Sequence, residues 1–520
     1  MRLFLLLSLL CYVQSLKFLA FSTQFARSHA NFISKISDVL VDAGHEVVMV
    51  APIMSTSFGG PLAKKARIIE IPQCEEAKRF DQIIDGRMAK NIWVMKHSLQ
   101  MFLRIVYYIL NEIHFITGVM EHPGLMDRLR EEKFDAAFSE SSDGCGPLVF
   151  HLLGIDKWAA TESPAIRDGG FAHTHTPSNP AYVPSLMGGR GEQMTFLERL
   201  SNTFSFLMAD LMVGVMIDDM EASIRKRMPD IPRIKDILPT NSLVFYNSEP
   251  LVDFPHPTSA RTIDIGGIIN SEPYEPLNST WSAILDLRPK TILISFGSMA
   301  KAFSMPDEYK KTIRETVKQF PDVTFIWKYE KPEDHISCGI PNLVESTWVP
   351  QRDMLHDRRL SAFITHCGQG STTETINAGV PVVVIPVLAD QLRNSHQVLR
   401  NGIGLRLDKT DLEKEGKLGA VITEILNNTT YRENAKRLQR MIADRPFAMS
   451  EIFVRNMEFL AKHGPLRQLD HYGRHLNFFQ YYLIDVISFV ASILVITIIV
   501  ICVTIRSLFR CFFSPKIKRD

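Results

Sequence analysis

Short apolar runs of about five or six residues recur along the chain, and many precede stretches whose apolar residues fall three and four apart. Lys17-Phe-Leu-Ala-Phe-Ser22 reads as a strand, Ala30 to Asp42 as a helix and Glu46-Val-Val-Met-Val50 as a second strand after the Gly44-His45 turn, a β–α–β opening. Lys133-Phe-Asp-Ala-Ala-Phe-Ser139 is a further strand ending at Glu140. A second series begins at Arg288-Pro-Lys-Thr-Ile-Leu-Ile-Ser295 and continues through Asp322–Trp327, Leu360–Thr365, Pro381–Pro386 and a helix from Thr423 to Leu438. Strands alternating with helices predict an α/β fold built on parallel sheets. The proline-bearing stretch Asn241–Asp264 reads as the linker between the two series, and Trp158–Gly191, rich in Gly, Pro, Ser and His, as loop. Ser98–Met120 is apolar but interrupted by Arg104, Glu112 and His114. A membrane span needs about 20 apolar residues, so this stretch reads as a buried or ligand-lining helix. Gln193–Met228 has helical spacing and is expected to pack on the first half, and Ser450–Gly464 reads as an amphipathic helix.

The two ends differ from the body. Met1–Ser15, leucine-rich with one basic residue, reads as a signal peptide cleaved after Val13-Gln14-Ser15. Tyr482–Ile505 is almost wholly apolar, bordered by the aromatic residues of Phe478–Tyr482 and followed by Arg506, Arg510, Lys516, Lys518 and Arg519. This predicts one transmembrane helix of type I topology, with the body lumenal and the basic tail cytosolic. Lys516 and Lys518 resemble a dilysine retrieval signal, which points to the endoplasmic reticulum membrane.

Candidate chemistry gathers between Trp348 and Gln391. The strand ending at Thr365 runs into His366 and a small-residue turn, Cys367-Gly368-Gln369-Gly370. Ser371-Thr-Thr-Glu374 are expected to open a helix, and Asp390-Gln391 follow the next strand. Open α/β sheets bind ligands at this carboxyl edge. A glycine turn without Lys or Arg would hold phosphate through backbone N–H groups and a helix N-terminus. His29, expected between the first strand and its helix, is a candidate acid–base group near neutral pH. The His173-x-His175 pair lacks a third ligand at matching spacing and reads as loop, not metal site.

The stretch closely resembles the nucleotide-sugar box of UDP-glycosyltransferases, and the wider chain resembles a membrane-bound UDP-glucuronosyltransferase. The matching residues are Trp348, Pro350, Gln351, His366, Gly368, Ser371, Glu374, Pro381, Pro386, Asp390 and Gln391. The resemblance implies that Trp348 stacks on uracil, Gln351 helps hold the nucleoside, and Glu374 takes ribose hydroxyls. By the same resemblance, His366 and its turn bind the diphosphate with Ser298 near the leaving group, and Asp390 and Gln391 take sugar hydroxyls. Gly370 stands where many relatives carry Asn. The resemblance makes His29 the catalytic base, supported by Glu140 where relatives carry Asp, with Asp143 as the other candidate. It implies two Rossmann-like domains facing across a cleft, the GT-B arrangement. Residues 16–250 would bind the acceptor and 251–446 the UDP-sugar, with 447–480 a return helix and link, 481–505 the span and 506–520 the tail. The implied reaction is inverting hexosyl transfer from a UDP-sugar to a hydroxyl of small lipophilic acceptors, as in glucuronidation and detoxification. UDP-sugar is then a co-substrate, and no cofactor or metal is expected; no Asp-x-Asp occurs in the chain. A lipid glycosyltransferase and a non-catalytic, membrane-anchored binding protein remain alternatives, and the donor sugar stays open.

Composition narrows this only slightly. With 520 residues the chain has room for two or three domains, and a formal charge of +1 supplies no basic field for nucleic acid. Of seven cysteines, Cys11 lies in the leader and Cys502 and Cys511 in or beyond the span. Cys74, Cys145, Cys338 and Cys367 show no CxxC spacing; disulfides in an oxidising lumen stay open. Asn278, Asn427 and Asn428 head glycosylation sequons. Homo- or hetero-oligomers are also left open.

Overall fold

The computed structural model describes residues 15–24, 26–56, 63–83, 89–95, 118–119, 122–141, 144–165, 168, 176–186, 188–270 and 274–513. The leader up to Gln14, nearly all of Ser98–Met120, Asp143, His173, His175 and the C-terminal lysines lie outside them.

The first half builds one parallel sheet. In chain order its elements are β1 (Lys17–Phe21), α1 (Arg27–Asp42), β2 (Glu46–Pro52), β3 (Arg67–Ile71), a short α2 (Ala89–Val94), β4 (Ala136–Glu140), β5 (Trp158–Glu162), the long α3 (Phe196–Arg225), β6 (Leu243–Tyr246) and β7 (Thr262–Asp264). The strand order is β3-β2-β1-β4-β5-β6-β7. β1 is buried along Phe18–Phe21 because helices cover both faces of the sheet, which is why it reads as an unbroken apolar run. Two expectations are corrected here. Trp158–Glu162 is an interior strand, not loop, and the presumed linker contains β6 and β7. Prolines 250, 255 and 257 fall between those two strands, where a missing N–H breaks no ladder.

The second half repeats the plan with β8 (Lys290–Ser295), β9 (Val323–Lys328), β10 (Leu343–Ser346), β11 (Leu360–Thr365), α4 (Gln369–Ala378), β12 (Val382–Val384), α5 (Gln391–Arg400) and β13 (Gly404–Arg406). Its order is β10-β9-β8-β11-β12-β13, again all parallel. The chain then sends α6 (Met449–His463) back to the first sheet. There Phe453 packs edge-on to Phe245 at 4.9 Å and to Phe138 at 6.1 Å between ring centroids.

Polar ties join the two halves. Arg393 of α5, fully buried, meets Asp253 at 2.7 Å, donates from Nε to the Pro184 carbonyl at 3.2 Å, and lies 5.1 Å from the Phe254 ring. Lys409, also buried, donates to the carbonyls of Ile92 and Val387, and Trp93 donates to the Lys301 carbonyl at 3.1 Å. Near the same seam Asp264 is pushed up to about 7, first by burial and then by the charges of Asp253 and Glu249. An unfolded Asp ionises near 4, so the folded chain holds the extra proton across that window. The contribution of Asp264 to stability therefore falls as pH rises from about 4 to 7. Asp264→Asn is expected to gain on the order of 2 kcal/mol over wild type at pH 8 and almost nothing at pH 4, read from denaturation midpoints at both pH values.

Residues up to Arg467 form one compact unit and Gln468–Asp520 a second. In the second, Asn477 caps a short turn of helix before α7 (Ile484–Phe513), 30 residues with none buried. At 1.5 Å per residue α7 is about 45 Å long, enough to cross a bilayer core of about 30 Å. It runs eight residues further than the expected end at Ile505.

Candidate active site

In each sheet the strand order reverses between the first strand and the fourth, and open sheets place their ligand crevice at such a reversal. In the first sheet this point lies between β1 and β4. His29 is the third residue of α1 rather than a connecting residue, because the helix begins at Arg27 directly after extended Ala26. Glu140 is the last residue of β4. Its two carboxylate oxygens lie 2.8 and 2.7 Å from His29 Nδ1. Glutamate thus reaches the ring although it is one methylene longer than aspartate.

Ser163, just past β5, completes the group. Its hydroxyl donates to Glu140 Oε1 at 2.6 Å and lies 2.7 Å from His29 Nδ1, and its N–H reaches the same carboxylate at 3.1 Å. Nothing in the sequence flagged Ser163, because it sits in a stretch read as loop. Glu140 is 4 % exposed. Burial alone would push its carboxyl up, but the His29 ring and the Ser163 hydrogen bonds outweigh that and hold it below the ordinary range. A carboxylate here accepts a hydrogen bond from Nδ1–H, so Nε2 is the nitrogen that can take a proton from elsewhere.

In the second sheet the reversal lies between β8 and β11. Gly297 and Ser298 follow β8, and His366, Cys367 and Gly368 follow β11. The expected opening of the helix at Ser371 is corrected: α4 starts at Gln369 with Gly368 as its cap and no side-chain cap bond. The hydroxyls of Thr372, Thr373 and Thr375 turn back to carbonyls one turn earlier. No hydroxyl of α4 therefore covers its N-terminus, and the Gln369 N–H there already bonds an anion, the Asp390 carboxylate. His366 is pushed down to about 3 by burial and then by Lys328, so its ring is uncharged here. Lys328 in turn donates to the Gly297 carbonyl at 2.6 Å.

Two glycines make room for the His366 ring. A Cβ on Gly297 or on Gly368 would come within 2.6 Å of it, and Gly297 has φ +79°. At Gly370 a Cβ meets nothing within 4 Å. Gly297→Ala is expected to cost about 1–3 kcal/mol through backbone strain and the displaced ring. Gly370→Ala should be neutral or gain a few tenths of a kcal/mol through helix propensity. Thermal melts of the two variants, with UDP affinity alongside, test the contrast.

Gln351 ties the rest of the box together. Its Nε2 donates to Glu374 Oε2 at 2.7 Å and to Ser371 Oγ at 3.2 Å. Burial pushes the Glu374 carboxyl up, and the bond from Gln351 only partly offsets that. Trp348, three residues earlier, is 57 % exposed and presents its ring to the cleft, with the Arg27 guanidinium 4.9 Å and Lys328 5.8 Å from its centroid. Asp390 is pushed up by burial, against the Asn394 amide at 2.8 Å, the nearby His29 and the Gln369 N–H. Gln391 is largely committed to its own loop, its Oε1 accepting from Val387 and Leu388 N–H at 2.8 and 3.0 Å. Gln369, read in the sequence only as part of the turn, donates across the cleft to the Asn247 carbonyl at 2.7 Å.

The contacts of Arg27 with Trp348 and of Gln369 with Asn247 bring the two carboxyl edges together, with His29 near enough to Asp390 for their charges to interact. Among the described residues no cluster of three or more His, Cys, Asp or Glu could hold a metal ion. Cys367 is a buried thiol pushed up to about 12 by burial, with its sulfur 3.4 Å from Thr372 Oγ1, and Cys338 is exposed. The sequon residues lie outside the cleft. Asn278 caps a helix through the Trp281 N–H, Asn427 is exposed, and Asn428 bonds Glu424 at 2.9 Å.

The family model for UDP-glucoronosyl and UDP-glucosyl transferases matches residues 17–519. The putative UDP-glucuronosyltransferase ugt-48 of Caenorhabditis elegans is 30% identical, with 97% of each chain covered. UDP-glucuronosyltransferase 1A8 of Rattus norvegicus is 25% identical over 91% of this chain and 88% of its own. Among solved structures, the calicheamicin glycosyltransferase CalG4 superposes with a TM-score of 0.54 at 14% identity, covering 87% of this chain and 100% of that one. Glycosyltransferase VinC, solved with DTDP, gives 0.53 at 14% identity over 86% and 100%. Those two likenesses show the GT-B fold alone, whereas the family match spans nearly the whole sequence: the chain belongs to the UDP-glucuronosyl and UDP-glucosyl transferases and is a UDP-sugar glycosyltransferase.

Proposed function

We propose that the enzyme moves a hexosyl group from a UDP-sugar to a hydroxyl of a small lipophilic acceptor with inversion at the anomeric carbon. The observation that carries this reading is the Ser163–Glu140–His29 group on one sheet edge, set against Asp390 and the α4 N-terminus on the other. Trp348 offers its ring to uracil, and Glu374, held by Gln351, takes ribose hydroxyls. The diphosphate sits at the turn of His366, Gly368, Gly370 and Ser371 with Ser298 opposite, while Asp390 and the Gln391 amide take hexose hydroxyls. His29 Nε2 accepts the acceptor's proton as its oxygen attacks, and Glu140 offsets the charge that forms on the ring. UDP leaves toward the α4 N-terminus, whose N–H groups stabilise the developing negative charge.

The same proposal places the chain in the endoplasmic reticulum membrane, anchored by α7 with the body lumenal and open to glycosylation at Asn278, Asn427 or Asn428. UDP release from UDP-glucuronic acid and from UDP-glucose, measured with a panel of phenols, tests the activity. Acceptor-dependent release from at least one donor is expected. UDP binding without release from either donor across the panel would favour a non-catalytic binding protein, and release with sphingoid or sterol acceptors alone a lipid glycosyltransferase.

A further inference from the structure

A chain of hydrogen bonds runs from Asp390 across the cleft to the His29 group. Gln369, the first residue of α4, gives its main-chain N–H to the Asp390 carboxylate and its side-chain Nε2 to the Asn247 carbonyl at 2.7 Å. Asn247 directly follows β6, as Ser163 follows β5. The ladder between those strands extends one step past them, with the Asn247 N–H on the Glu162 carbonyl at 2.9 Å. The Asn247 side chain, 3 % exposed, then takes over, and its Nδ2 donates to the Ser163 carbonyl at 3.0 Å. Each amide faces a carbonyl, which can only accept, so nitrogen is the atom turned toward it. Ser163 is thereby held at its carbonyl by Asn247, and at its N–H and hydroxyl by Glu140, the carboxylate on His29 Nδ1. The strand end behind it has no room to retreat. Ser248 packs so close to Gly266 that a Cβ there would come within 2.3 Å of its carbonyl group.

We propose that Gln369 and Asn247 are positioning residues for the transfer reaction. Their bridge sets Ser163, and through it the Glu140–His29 pair, in register with the Asp390 edge that would hold the hexose. This rests on the roles of His29 and Asp390 proposed above. As glue between the halves the bridge adds little. A neutral hydrogen bond, whose groups water would otherwise satisfy, is worth far less than truncating one side of the buried Arg393–Asp253 pair would cost. Lys409 and Trp93 also tie the halves elsewhere. As alignment the bridge is well placed, because it begins on a residue bonded to Asp390 and ends on a residue bonded to Glu140. Neither amide titrates or reacts, so what the bridge supplies is distance. The imidazole, the attacking oxygen and the anomeric carbon have to meet in one geometry, and a misplacement of about 1 Å costs about 10²-fold in rate. Ser163 cannot drift without leaving the buried Asn247 amide unbonded, which makes its seat stiff.

Steady-state kinetics of the full chain in detergent, with a UDP-sugar and a phenol that the wild type turns over, test this. Gln369→Met keeps the main-chain N–H on Asp390 and removes the amide. It is expected to lower kcat about tenfold, as a shift of a fraction of 1 Å would, and to leave the KM for UDP-sugar within a factor of about two. Asn247→Ala keeps the carbonyl that Gln369 uses and drops the bond to Ser163, so it should show the same split. If that buried change does not fold, Gln369→Met decides alone. Ser163→Ala should cost less in the Gln369→Met background than in the wild type, because both act on one chain of bonds. Arg400→Met, which cuts the 2.9 Å pair with Glu192 between the same halves, should leave kcat unchanged. Wild-type kcat in Gln369→Met would overturn the inference, as would a raised KM at unchanged kcat, losses that multiply with Ser163→Ala, or an equal fall in Arg400→Met. All of these leave the role of His29 standing. Full turnover in His29→Ala would remove that role and this inference with it.

Discussion

His29→Ala is expected to lower the rate of transfer by about 10²–10⁴-fold while leaving the affinity for UDP within a factor of about two. His29 stands at the first sheet and Trp348, Gln351 and Glu374 at the second, so in the proposed mechanism the deletion removes the proton acceptor and leaves the other side of the cleft unchanged. Glu140→Gln separates base from support. It keeps the length of the side chain but loses the charge, and its amide can present a donor to Nδ1, favouring the wrong tautomer. A large fall in kcat with little change in the KM for UDP-sugar is expected, whereas Ser163→Ala, removing one of several partners of the carboxylate, should cost much less. Single-turnover assays beside calorimetric UDP titration separate chemistry from binding. Turnover at the wild-type rate in His29→Ala would remove it from the mechanism.

The largest effect on stability is expected at Arg393. Truncation to Ala leaves Asp253, 3 % exposed, without its cation, and Ser248, Gln397 and the Phe254 N–H are then its remaining partners. Breaking one side of a buried ion pair costs about 3–5 kcal/mol, most of it the penalty on the charge left behind. Arg393→Met with Asp253→Asn should recover part of that loss, because the orphan charge is gone. Denaturant midpoints of the two singles and the double give the coupling directly. Losses that simply add would mean that the pair is a bystander.

Much of this architecture is readable from the sequence, for a definite reason. Parallel strands covered on both faces are bare apolar runs, and Phe18–Phe21, Phe363–Ile364 and Val382–Val384 stand out as such. The box residues are legible because they crowd into one strand–turn–helix unit. Harder to see is whatever depends on distance in space. Ser163 meets His29 across 134 positions, and Gln369 meets Asn247 across 122, so no local pattern announces either. Trp158–Glu162 escaped notice because a five-residue strand ending in Thr and Glu, ahead of a Gly- and Pro-rich stretch, looks like part of that stretch. The start of α1 at Arg27 is not legible because Ala26 supplies no side-chain cap, the feature that marks a helix start in a sequence. Helical spacing in α3 predicted packing, but no periodicity can say that Leu197, Leu200, Phe204 and Leu211 are left exposed.

The seam of Arg393, Lys409 and Trp93 has a thermal corollary. Each half has its own sheet, and two such lobes joined only by a flexible tether would melt in separate steps. With a buried cation from one lobe seated among carbonyls and a carboxylate of the other, neither can come apart and leave its neighbour solvated at no cost. Heating the enzyme in detergent should therefore yield a single endotherm for both lobes, and proteases should find no long-lived half-molecule on the way.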